Sequence, residues 1–119
     1  KYFYDFLRSC GYILIFKPVI ELNNGTKKGN CDGDMIMYVV SKMHNYNKAI
    51  IVTSDGDFYS TVALLARRKK LEVVLSPNMY KCSGLLKKEA KDRIFYMNQL
   101  RDTLSFTLKR KSTAIGQNL

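Results

Sequence analysis

Asp55 and Asp57 stand one glycine apart, and Asp32-Gly33-Asp34 shows the same spacing earlier in the chain. These four aspartates are drawn from only ten acidic residues in the whole sequence. Like charges this close raise each other's cost of ionisation, so the arrangement calls for a compensating partner. One such partner is a divalent cation, whose charge reverses the local electrostatics and turns repelling acids into ligands. Mg²⁺ takes hard oxygen donors and keeps several waters, so a few carboxylates suffice to hold it. On a phosphodiester such an ion activates a water and stabilises the leaving oxygen, often as a pair of ions about 4 Å apart. The alternative is structural: Asp55 and Asp57, like Asp32 or Asp34, also suit the start of a helix, capping it and favouring its dipole.

Either use depends on the elements that present the acids. KAIIVT, residues 48–53, is a short, β-branched apolar run that predicts a central parallel strand ending just before Asp55. Phe58, Val62 and Leu65 then recur at helical spacing. In DMIMYVVSKM, residues 34–43, Met35, Ile36, Val39, Val40 and Met43 predict another helix behind Asp32 and Asp34. Upstream, Tyr2, Phe3, Phe6 and Leu7 predict a helix stopped by Gly11. YILIFKPVI predicts a strand, with Pro18 marking its edge or end, before a polar Gly/Asn-rich loop. Downstream, LEVVLS predicts a strand, SGLLKKEA a short helix with Ser83 near its start, and RIFYM a last strand. Leu100, Leu104 and Leu108 follow at four-residue intervals, a stripe that either faces the core or pairs two chains as a homodimer. Strands alternating with helices predict an α/β fold, a mostly parallel sheet with helices on both faces. Ligands of such sheets bind beyond the carboxyl ends of the strands, where Asp55 and Asp57 fall.

The 119 residues suffice for one domain core. No apolar run approaches the roughly 20 residues of a bilayer-spanning helix. Cys10, Cys31 and Cys82 form no CxxC or Cys/His cluster, which predicts reduced thiols and a cytoplasmic protein. The net charge of +10 is unevenly placed: 13 basic and 4 acidic residues lie from Arg67 onward, against 7 and 6 before it. A field of that sign attracts polyanions, nucleic acid foremost; solvated helix faces with a basic tail are the alternative.

Taken together, Lys28-Gly29-Asn30-Cys31-Asp32-Gly33-Asp34 and Val52-Thr53-Ser54-Asp55-Gly56-Asp57-Phe58 resemble the NYN family, the LabA-like members of the PIN-like nuclease superfamily. The likeness runs on through Ser83-Gly84-Leu85-Leu86 and covers about residues 11 to 105. It implies a PIN-like, Rossmann-like three-layer domain over residues 1–108, followed by a basic tail at 109–119. It also implies a metal-dependent ribonuclease, expected to be an endonuclease, using Mg²⁺ or Mn²⁺ with RNA as substrate. By position, Asp32, Asp55 and Asp57 are the catalytic, metal-holding acids, and Asp34 is a further metal candidate. Lys28, Thr53, Ser54 and Ser83 are placed to contact a phosphate or position a water. Arg67 and Arg68, with Lys87 and Lys88, would steer the RNA.

Thr53-Ser54 departs from the family's Ser-Gly, adding bulk beside the site. The family's first acid ends an opening strand, so the resemblance implies that this strand and its aspartate lie outside these residues. Asp5, at helical spacing, is expected to be a solvated surface residue, and His44 to sit on a helix surface near a turn. Tyr59 and Tyr80 are candidates to stack on bases, or are packing residues. Two other functions remain compatible with the residues: an RNA-binding module without catalysis, and a phosphatase using one aspartate as nucleophile.

Overall fold

The computed structural model describes residues 1–106; the expected basic tail and Leu108 lie outside them. The chain divides into two compact units, the first spanning Lys1–Tyr46 and the second starting at Asn47.

In the first unit, α1 (Tyr2–Ser9) ends where expected. Gly11, at φ 94°, donates to the Arg8 carbonyl and Tyr12 to that of Leu7, a Schellman closure that favours glycine at the left-handed position. β1 (Ile20–Glu21) pairs antiparallel with β2 (Lys27–Lys28) around a tight loop. There the Asn24 carboxamide oxygen accepts the Thr26 N–H at 3.0 Å, and Gly25 takes φ 82°. α2 (Asp32–Ser41) follows, with Asp32 and Asp34 in its first turn, favourable to its dipole. A 3₁₀ turn, Met43–Asn45, carries an exposed His44. The Tyr46 hydroxyl donates to the Val39 carbonyl at 2.7 Å, and burial pushes its pKa up.

The strand expected at 12–20 is reduced to its last residue, Ile20, in β1. Sequence gives this stretch the capacity for a strand, but a strand exists only where its N–H and C=O groups find a ladder. Pro18, moreover, has no N–H to give. Instead Phe16 packs edge-on against Tyr4 of α1, ring centroids 5.1 Å apart, with the Arg8 guanidinium over its ring. None of the described side chains of this unit is buried.

The second unit holds a three-stranded parallel sheet in the order β3 (Ala49–Val52), β4 (Leu71–Ser76), β5 (Ile94–Tyr96). All three strands match the apolar runs of the sequence. The crossovers are α3 (Tyr59–Arg67) and α4 (Gly84–Ala90). Both connections run the same way across the sheet, so right-handed crossing puts both helices on one face, where they pack together. Ile51 and Val74, paired in register, lie on that face. With Phe58, Val62, Leu65, Leu71, Leu86 and Ala90 they are buried. The alternate residues Ile50, Val52 and Phe95 are exposed, as the two-residue period of a strand requires. A 3₁₀ turn, Met97–Leu100, leads into α5 (Arg101–Leu104), where Leu104 is exposed. This is an α/β fold, a parallel sheet flanked by helices, and it fits the PIN-like class.

Candidate functional site

The carboxyl end of β3 delivers the chain to Thr53, whose side chain is buried and whose hydroxyl accepts the Asp55 N–H at 3.1 Å. Asp55 then caps a 3₁₀ turn, Gly56–Phe58: its Oδ1 accepts the Asp57 N–H at 2.9 Å. Phe58, 4% exposed, roots that turn in the core, so the two carboxylates project from a fixed base. Both remain exposed, and among the described residues no ion pair engages either. The cap uses one oxygen of Asp55, leaving its other oxygen and both of Asp57 available. The capping role considered from sequence is therefore present, and it orients the acids without consuming them.

Polar residues of neighbouring loops frame the turn. The hydroxyls of Ser54 and Ser76 lie 2.7 Å apart; Ser76, fully buried at the end of β4, also donates to the Asn78 carbonyl at 3.3 Å. The Ser54 carbonyl accepts the Ser83 N–H at 3.1 Å. Ser83 caps α4, its Oγ accepting the Leu85 N–H at 3.2 Å. Gly56 is required by this contact: a Cβ there would lie 2.5 Å from Ser83 Oγ and 3.1 Å from its Cβ. Ser54 and Ser83 are thus brought to the rim with Asp55 and Asp57. Ser76 and Asn78 went unnoticed in the sequence, where the only signal is a polar residue closing an apolar strand just before Pro77.

In the first unit, Asp32 is half-buried and donates its N–H to the Asn30 side chain at 2.6 Å. Asp34 lies 3.6 Å from the Lys17 ammonium, an exposed ion pair that partly neutralises it. Lys28 lies in β2, its backbone paired with Ile20.

Arg67 and Arg68 do not join the rim. They end α3, and nine residues of helix at about 1.5 Å each carry them to the opposite end of the sheet. Lys87 and Lys88 lie in the last turn of α4, also away from its start at the rim. Tyr59 is 42% and Tyr80 83% exposed, so neither is committed to the core. Cys10, Cys31 and Cys82 are free thiols. No described helix is long and apolar enough to cross a membrane.

Carboxylates presented on a rigid turn, unpaired and open to solvent, supply the donor chemistry a hard divalent cation requires. Comparison with known proteins places the chain in a family. No curated protein matches it. A solved protein of unknown function from Vibrio parahaemolyticus shares 25% identity and superimposes with a TM-score of 0.65 over 81% of this chain. The aligned part spans 59% of the Vibrio protein's length. The NYN domain model matches residues 1–98, and the chain belongs to the NYN domain family.

Proposed function

We propose that the protein is a metal-dependent ribonuclease that cuts RNA internally, with Asp55 and Asp57 at the centre of its site. The observation that carries this reading is the turn after β3, which holds two unpaired carboxylates at the end of a parallel strand in an NYN domain. Asp32 is proposed as the third acid, supplied by the start of α2, with Asp34 beside it held partly by Lys17. When bound, Mg²⁺ or Mn²⁺ would supply the charge that activates a water and offsets the negative charge gathering on the phosphodiester. The chain's own part is positioning. The Asp57 N–H fixes the Asp55 carboxylate, and Phe58 fixes the turn. Ser54 and Ser83 would offer hydroxyls to a phosphate at the rim, the buried Thr53 hydroxyl instead steadies the Asp55 N–H, and Lys28 is proposed to add a cation.

A circular single-stranded RNA tests this directly, since it has no ends for an exonuclease. The protein with Mg²⁺ or Mn²⁺ is expected to linearise it, and a chelator to stop the reaction. An intact circle under both metals, with RNA still bound, would replace this reading with that of a binding module without catalysis.

A further inference from the structure

The end of the second unit opposite the aspartates is cationic. The last turn of α3 and its exit contribute the four basic residues 67–70; Lys91 and Arg93 enter β5, and Lys48 precedes β3. Glu72, Glu89 and Asp92 offset them only in part. Two of these cations have a structural use: the Lys48 ammonium donates to the Lys69 carbonyl at 2.9 Å, and the Arg93 guanidinium to that of Glu72 at 3.2 Å.

Lys69 and Lys91 differ. Both are exposed, and neither side chain makes a hydrogen bond or ion pair with the described residues. Both also occupy backbone positions that favour glycine. Lys69, at φ 56°, closes α3 in a Schellman motif: its N–H reaches the Ala66 carbonyl, and Lys70 reaches Leu65. At the equivalent place after α1 this same chain uses Gly11. Lys91, at φ 55° and ψ −118°, is the first central residue of a type II′ turn, closed by the Arg93 N–H on the Ala90 carbonyl at 2.9 Å. A side chain at either position strains the backbone without making a hydrogen bond or ion pair with the described residues in return, and such outliers concentrate where function requires them. Lys91 also lines, with Arg67 and Arg93, an open cleft of ≈ 300 Å³ that includes Glu89 and Asp92.

We propose that Lys69 and Lys91 anchor the phosphate backbone of an RNA strand away from the cutting site. This rests on the ribonuclease reading and adds to it where the substrate runs. β4 separates the lysines from the aspartate rim by about 17–20 Å, six residues at about 3.3 Å each, so the anchored phosphates are not the one cleaved. Their effect falls on affinity and leaves the rate of cleavage of bound RNA unchanged.

The test uses the whole chain in EDTA, with a fluorescent single-stranded oligouridylate and a salt series followed by anisotropy. The Lys69→Gly/Lys91→Gly variant is expected to melt several degrees higher, because the backbone strain is relieved. It should also lose two phosphate contacts. The slope of log K against log salt then falls by about 1.4, which is about 25-fold weaker binding at 0.1 M salt with convergence near 1 M. Lys69→Gln/Lys91→Gln, which keeps the strain and removes the charge, should show the same loss without the gain in melting temperature. Unchanged affinity and slope in both variants, with the parent binding RNA, would overturn the anchor and leave the nuclease reading standing. A parent chain with no affinity for RNA in EDTA would also overturn the anchor, while linearisation of the circular RNA with Mg²⁺ or Mn²⁺ decides the nuclease reading separately.

Discussion

Asp55→Asn is expected to lower metal-dependent RNA cleavage about 10²–10³-fold while leaving the fold intact. Removing a carboxylate from the ion's ligands forfeits about 3–4 kcal/mol of transition-state stabilisation. The fold should not notice, because asparagine retains a carbonyl oxygen where Asp55 Oδ1 accepts the Asp57 N–H. Stability should therefore stay within about 0.5 kcal/mol of the parent. Single-turnover cleavage and urea unfolding measure the two separately. Parental cleavage by this variant would remove Asp55 from the chemistry; joint loss of cleavage and stability would make its role one of folding.

Gly56→Ala is expected to damage both. The added methyl would sit 2.5 Å from the Ser83 hydroxyl, which holds the start of α4 through the Leu85 N–H. Either the turn shifts or the cap breaks, at about 2–3 kcal/mol for lost cap and strain combined. A shift of the turn by about 1 Å would itself reduce cleavage about 10²-fold, since both carboxylates ride on it. The companion variant makes the cause visible. Ser83→Gly removes the obstructing hydroxyl, and glycine is nearly as good a cap as serine. The double variant should therefore be more stable than Gly56→Ala alone, a clear departure from additivity. Additive losses would place the cause elsewhere than the Gly56–Ser83 contact.

How much of this was legible beforehand follows from what kind of information each feature needs. β3, β4 and β5 are short apolar runs, β-branched or aromatic, between helical patterns, and such local patterns survive into the structure. The Ser83 cap and the Asp55 turn are equally local, each a side chain reaching two residues along the chain. The stretch 12–20 has the composition of a strand, yet composition does not say whether a ladder partner is at hand, and only Ile20 pairs. Ser76 against Ser54 is a contact across 22 residues, and nothing local announces it. Arg67 and Arg68 show the same limit from the other side. Their charge is plain in the sequence, but the length of α3 decides which end of the sheet receives it. In the sequence Lys69 and Lys91 are ordinary members of basic stretches, and only their backbone angles set them apart.

Cleavage as proposed requires that the unpaired carboxylates after β3 bind a divalent cation. Isothermal titration of the protein with manganese chloride measures this without RNA or turnover. The parent is expected to give a saturable heat, and Asp55→Asn/Asp57→Asn, folded to the same degree, none. No heat from the parent, or the same heat from the double variant, would contradict it.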